Sequence, residues 1–170
     1  MRFPFQELKT TNARYNRELK EAASRVIDSG WYVNGPETKA FERELSAYLG
    51  VNGSVSTGSG LDAIRMIFRG YMELGRLKEG DEVIVAANTF IATMLPLTEM
   101  RLKVVLAEPS EETFGLDLTR VEGMLTDKTR AVAVTHLYGT PSWDFAAAER
   151  LRAKGIILVE DNAQAIGASI

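Results

Sequence analysis

Short apolar runs, each stopping at polar residues, constrain this chain more than any other feature. Glu82–Ala87, Lys103–Ala107, Arg130–Thr135 and Ile156–Glu160 are rich in Val, Ile and Ala and carry no alternation of apolar and polar residues. Strands buried on both faces read this way, and both faces are buried mainly in parallel sheets covered by helices. Helical patterns fall between the runs, and that alternation indicates βαβ units. The predicted fold class is therefore α/β, a three-layer αβα arrangement around a mostly parallel sheet. Each strand should then end on the same edge, where ligands of open α/β sheets collect.

Read in order, residues Met1–Thr11 look like an extended arm. Asn12 is placed to cap a helix running to about Ser29, with Leu19, Ala22, Ala23, Val26 and Ile27 apolar, and Gly30 ends it. Gly30–Pro36 is a loop with two large aromatics, Trp31 and Tyr32, which either pack or face a substrate or a subunit. Glu37–Tyr48 reads as a second helix and Gly53–Thr57 as a short strand. After Gly58-Ser59-Gly60 comes an amphipathic helix with Leu61, Ile64, Ile67, Phe68 and Tyr71 on one side. Ile91–Glu99 is predicted as a helix kinked by Pro96. Leu118–Leu125 and Asp144–Lys154 complete the helices.

Bulk composition narrows the partners. A net charge of -3 disfavours a nucleic-acid backbone. The absence of cysteine removes disulfides and thiolate metal sites, and fits a cytoplasmic protein. No run approaches the ~20 apolar residues that span a bilayer, and the N-terminus shows no signal-peptide core. No metal site is expected.

The chemistry concentrates where predicted strands end. Thr57-Gly58-Ser59-Gly60-Leu61-Asp62-Ala63 joins a strand to a helix, and glycines before a helix N-terminus form a phosphate cup. The stretch also fits G-x-G-x-x-A, but the next strand ends in Asn88-Thr89-Phe90 without the acid that a dinucleotide fold wants for ribose, so a single phosphate is the better reading. Phe90 could stack on a flat ring. Asp161 ends the last strand and needs a positive partner. His136 is the sole histidine and follows a strand, so it is structural or substrate-facing. A receiver domain would also put an acid where Asp161 stands, but the Lys and acidic pair it requires cannot be assigned. A cup, a stacking aromatic and an acid together suit a phosphorylated aromatic ligand with a basic nitrogen. Pyridoxal 5'-phosphate (PLP) has those parts, with Asp161 on the pyridine nitrogen.

These residues also carry a family resemblance. GWYVNGPETKAFERELSAYLGV, GSGLDAI, DEVIVAANTFIAT, THLYGTP and VEDNAQAIGA occur in order over nearly the whole chain. In them the chain resembles the N-terminal part of DegT/StrS-type sugar aminotransferases, which have the fold-type I aspartate aminotransferase fold. The resemblance implies that Asp161 pairs with the pyridine nitrogen, Gln164 sits by the ring hydroxyl, and Phe90 stacks on the ring. It implies that the backbone at Gly60 and Leu61 binds the phosphate. Many members have Thr or Ser where Leu61 stands, and Ser59 is the candidate to replace that hydroxyl. Trp31 and His136 become candidates for substrate contact. The G-L-D-A variant resembles members that aminate carbon three of nucleotide-linked 6-deoxy keto sugars.

The resemblance puts the Schiff-base lysine in a segment beyond E-D-x-A-Q. None of Lys9, Lys20, Lys39, Lys78, Lys103, Lys128 and Lys154 matches it. Residues 1–170 are then expected to be an N-terminal arm plus an incomplete PLP-binding large domain, without the C-terminal small domain and inactive alone. The implied activity is amino transfer, from glutamate, to a nucleotide-linked keto sugar for lipopolysaccharide, O-antigen or antibiotic sugars, by a homodimer. The alternatives are a dehydratase of the same family, with His in place of that Lys, and a non-catalytic phosphate-binding α/β domain.

Overall fold

Four apolar runs become the strands β1 (Glu82–Ala86), β2 (Lys103–Ala107), β3 (Thr129–Thr135) and β4 (Ile157–Asp161). They form one sheet in the order β2-β1-β3-β4, with every neighbouring pair parallel. The computed structural model describes Pro4 and residues 6–170. Met1, Arg2, Phe3 and Phe5, within the predicted arm, lie outside the described residues. The chain divides into two compact units, Met1–Ser56 and Thr57–Ile170.

In the second unit, alternation along each strand sorts side chains to two faces. Val83, Val85, Ala131, Ala133, Ile157 and Val159 meet Ile64 and Phe68 of one helix, α4 (Gly60–Glu73), and Leu97 of another, α5 (Leu95–Glu99). On the opposite face Ile84, Ala86, Val132 and Val134 meet Leu118 and Val121 of α6 (Leu118–Val121), and Ala147, Ala148 and Leu151 of α7 (Phe145–Ala153). This is the three-layer αβα arrangement, and both faces of the central strands are dry, which is why their sequence does not alternate. Asp117 and Asp144 cap α6 and α7, their carboxylates accepting N–H bonds from the first turn.

Several boundaries differ from expectation. Ile67 on α4 is exposed, so the apolar stripe is narrower than its sequence suggests. Pro96 does not kink a long helix. A 3₁₀ turn covers Ile91–Thr93, and Pro96 falls in the first turn of α5, where its missing N–H costs no helix bond. Leu118–Leu125 likewise splits into α6 and a 3₁₀ turn at Glu122–Met124. Beyond β4 the chain forms turns, with Ala165 N–H bonding to Asn162 O at 3.0 Å.

The first unit is helical: α1 (Leu8–Asn12), a 3₁₀ turn at Ala13–Tyr15, α2 (Asn16–Ser29) and α3 (Pro36–Leu49). The arm is thus helical from Leu8, and Asn12 caps nothing, since the residue preceding α2 is Tyr15. Gly30 and Gly50 close α2 and α3 in left-handed conformation, at φ 65° and 66°. Arg25 of α2 binds Glu37 of α3 at 2.7 Å. No strand forms at 53–57 among the described residues. Strand status needs ladder bonds, and here the Ser56 N–H donates to Glu42 Oε1 at 2.8 Å instead.

Candidate active site

The carboxyl ends of β1, β3 and β4 and the N-terminus of α4 enclose a cavity of about 510 Å³. Its walls are Ser59, Gly60, Leu61, Ile64, Phe90, Ala92, Thr135, Leu137, Asp161, Ala163 and Gln164. Every residue that the sequence nominated for the cofactor is therefore on one cavity. No lysine is among its lining residues.

At one end, Ser59 caps α4 by accepting the Asp62 N–H at 3.1 Å, and its own hydroxyl hydrogen goes to Asp62 Oδ2 at 2.8 Å. The Ser59 hydroxyl is thus an N-cap whose own hydrogen is taken by the Asp62 side chain one turn on. Ser59 lines the cavity as expected for a residue near the phosphate cup, and in this structure its hydroxyl hydrogen is directed to Asp62. The Gly60 and Leu61 N–H groups find no acceptor among the described residues, as the first turn of a helix leaves them. Asp62 would put negative charge beside this cup, but Arg65 binds it and also holds Glu99 at 2.8 Å. Those contacts raise the Arg65 guanidinium above its ordinary range, the Glu99 hydrogen bond first, and depress the Glu99 carboxyl.

Phe90 forms another wall. It precedes the 3₁₀ turn, accepting the Thr93 N–H at 3.0 Å, and its side chain is 71% exposed. So large an apolar surface left open beside a cavity is available for stacking.

Asp161 is held at three points. Its carbonyl accepts the His136 N–H at 3.1 Å, its Oδ1 accepts the Ala163 N–H at 3.1 Å, and its Oδ2 accepts the Thr93 hydroxyl at 2.9 Å. Thr93 in turn touches Thr89 at 3.0 Å, and Thr89 touches Thr135 at 2.8 Å. The sequence reading missed all three threonines, since Thr within or beside a strand reads only as β-propensity.

Gln164 is oriented by backbone. Its Oε1 accepts the Tyr138 N–H at 2.7 Å, which leaves its NH₂ to face elsewhere. Tyr138 sits in left-handed conformation at φ 58°, followed by Gly139 at φ 81°. Non-glycine residues reach that region at a cost of ~1–2 kcal/mol, so the turn is held by what it binds.

The structure does not bring His136 to this cavity. The ring is buried, Nδ1 accepts the Ser142 N–H at 2.9 Å, and Nε2 lies 2.9 Å from Glu160 Oε2. An accepting Nδ1 fixes the hydrogen on Nε2, so one nitrogen ties the end of β3 to Glu160 of β4 and the other holds the loop at Ser142. His136 lines a separate depression with Trp143 and Arg152. Trp31, in the first unit, is 60% exposed and donates its indole N–H to Val33 O at 2.8 Å.

With this geometry established, likeness to known proteins decides the family. The model of the DegT/DnrJ/EryC1/StrS aminotransferase family matches residues 14–170. The chain belongs to this family. Among curated relatives, dTDP-3-amino-3,6-dideoxy-alpha-D-galactopyranose transaminase of Aneurinibacillus thermoaerophilus is 39% identical over 166 residues, which are 97% of this chain and 44% of the relative. Among solved structures, S. venezuelae DesV matches with TM-score 0.90 and 40% identity over 98% of this chain and 44% of that one. The E. coli GDP-4-keto-6-deoxy-D-mannose-3-dehydratase with bound hydrated PLP matches with TM-score 0.81 and 30% identity over 89% and 39%. The chain thus spans less than half the length of these family members.

Proposed function

We propose that this chain is the N-terminal part of a PLP-dependent aminotransferase acting on a nucleotide-linked keto sugar, and that the cavity holds the cofactor. One observation carries the reading: two helix N–H groups without an acceptor among the described residues, an exposed aromatic face, an anchored carboxylate and an oriented amide converge on one open-sided cavity. These groups fit the parts of PLP. Gly60 and Leu61 would bind the phosphate through backbone N–H groups, aided by the positive end of α4. Phe90 would cover the ring, Asp161 would hold a proton at the pyridine nitrogen, and the Gln164 NH₂ would donate to the ring oxygen. Bound there, PLP supplies an electron sink for chemistry at the substrate carbon, which a protonated ring nitrogen deepens. The apolar walls limit water around the Asp161 pair and strengthen it.

Amino transfer is preferred to dehydration because the curated transaminase shares more identity with this chain than the dehydratase structure does. That transaminase is named for a 3-amino sugar, which supports carbon three as the site of amination and a dTDP-linked 6-deoxy keto sugar as substrate. Glutamate is the proposed amino donor. The lysine that carries the covalent tether and moves the proton is proposed to lie beyond the E-D-x-A-Q motif, outside these 170 residues, so this chain alone is expected to be inactive. The apolar residues Leu19 and Ile27 exposed on α2 support self-association, consistent with a homodimer. Among the described residues no helix is long and apolar enough to cross a membrane.

The test uses two forms of the cofactor. Pyridoxamine 5'-phosphate should bind the chain reversibly, quench on Phe90 contact, and lose affinity in Asp161→Asn. Incubation with PLP, borohydride reduction and peptide mapping should give scattered, substoichiometric labelling. A single stoichiometrically labelled lysine together with turnover of a keto sugar would refute the division of labour proposed here.

A further inference from the structure

We propose that Thr93, backed by Thr89 and Thr135, is the positioning residue for Asp161, an inference that rests on the reading of Asp161 as the partner of the cofactor's ring nitrogen. Thr93 cannot touch a ligand itself: it is 1% exposed and absent from the cavity wall. Its hydroxyl approaches Asp161 from behind, at 2.9 Å from Oδ2. The other carboxylate anchor, the Ala163 N–H, belongs to the turn that Asp161 itself begins and moves with it. Thr93 lies on a different segment, the 3₁₀ turn after β1. It is therefore the side chain that fixes the carboxylate's rotation relative to the Phe90 wall.

Counting hydrogens sets the direction of the whole chain of hydroxyls. Each threonine has one hydroxyl hydrogen. That of Thr93 goes to Asp161, so in the 3.0 Å Thr89–Thr93 contact Thr89 must donate. The Thr89 hydrogen is then used, so across 2.8 Å Thr135 must donate to Thr89. The O–H dipoles all point toward the carboxylate, an arrangement in which each bond polarises the next. Thr135 lines the cavity. With its hydrogen committed, its oxygen faces the cavity only as an acceptor. Buried hydroxyls are costly when unpaired, and packing alone would be served as well by valine. A directed chain ending on one carboxylate is what a positioning role requires.

The experiment binds pyridoxamine 5'-phosphate, ¹⁵N-labelled in the ring, to the 170-residue chain and reads the dissociation constant and the ring ¹⁵N shift. Thr93→Val keeps shape and removes the hydroxyl. It should weaken binding about tenfold, equivalent to ~1.4 kcal/mol, and move the ¹⁵N shift toward that of the free ligand. Thr93→Ser should restore both. A merely structural threonine would alter the melting temperature without moving the ¹⁵N shift of bound ligand. Wild-type affinity and shift in Thr93→Val, while Asp161→Asn changes both, would overturn the proposal and leave the cofactor reading standing. A chain that does not bind the ligand, or binds it alike with Asp161→Asn, would sink the cofactor reading and this proposal with it. Should Thr93→Val fail to fold, Thr89→Val carries the test. It keeps the direct bond but removes its backing and should weaken binding about threefold with a smaller ¹⁵N displacement. Wild-type values there would overturn the proposal.

Discussion

Replacing Ser59 with alanine separates two roles that one residue could have at the phosphate cup. The structure uses the hydroxyl twice, accepting the Asp62 N–H at 3.1 Å and donating to Asp62 Oδ2 at 2.8 Å. A capping serine contributes ~1 kcal/mol, within a range of about 0.5–2. The Asp62 carboxylate also loses a donor in the variant, but Arg65 still binds it, and an exposed ion pair of this kind adds only ~0–1 kcal/mol. The sum is about 1–1.5 kcal/mol, which for a chain of this size lowers Tm by roughly 2–6 °C at ~2–4 °C per kcal/mol. Phosphate affinity should change less, by about twofold, because the Gly60 and Leu61 N–H groups remain at the helix start. The assay pairs thermal unfolding followed by far-UV circular dichroism with titration by pyridoxamine 5'-phosphate. Ser59→Thr should restore Tm to within about 1 °C, since threonine caps nearly as well. An unchanged Tm with binding weakened tenfold in Ser59→Ala would refute the reasoning, because the hydroxyl would then be a ligand and not a cap.

Three further outcomes follow from the fold. Phe68 is fully buried between α4 and the sheet, so Phe68→Ala should cost ~3–5 kcal/mol, read as a fall in the urea midpoint at unchanged slope. The Glu82 carboxyl is held below the ordinary glutamate range, first by the Lys103 ammonium at 2.8 Å and then by the Thr126 hydroxyl. A depressed folded value means that its stabilisation is present at neutral pH and disappears as pH falls below the usual glutamate range. Urea midpoints should therefore drop in acid, and Glu82→Gln should flatten that dependence. In the longer aminotransferase proposed above, Asp161→Asn should retain measurable cofactor binding but nearly abolish single-turnover amino transfer. Wild-type single-turnover rates would show that Asp161 does not serve the ring nitrogen.

The sheet was legible because its signal is local. A run such as Lys103–Ala107 is bounded in the sequence where it is bounded in space, and Asp144 announces α7 by side-chain chemistry alone. What escaped depended on distant partners. Residues 53–57 have strand composition but no ladder neighbour among the described residues, and no local pattern reports that. Asn12 looks like a cap, yet a 3₁₀ turn intervenes and shifts the start of α2. In the site, Phe90, Asp161 and Gln164 were findable because each follows a strand end or turn of a parallel sheet. The threonine chain was not, because Thr89 and Thr135 lie 46 residues apart and only the fold makes them neighbours. His136 had the right position after a strand, but its two nitrogens serve Ser142 and Glu160. Sequence position alone does not say toward which side of the strand a side chain turns.

The bond from Tyr138 to Gln164 has a consequence for how the cavity tolerates sequence drift. The amide of Gln164 is aimed by a main-chain N–H, which any residue except proline supplies at position 138. The tyrosine ring is 76% exposed. Its identity is therefore nearly irrelevant to the amide, and only its left-handed backbone is constrained. Asparagine or glycine should keep the donor in place, whereas valine or isoleucine would strain the turn, because branching at Cβ disfavours positive φ. Heritable control of the cavity is thus split unevenly. Position 164 is specified by its side chain and position 138 by the shape its backbone can adopt, so the two are free to diverge at different rates.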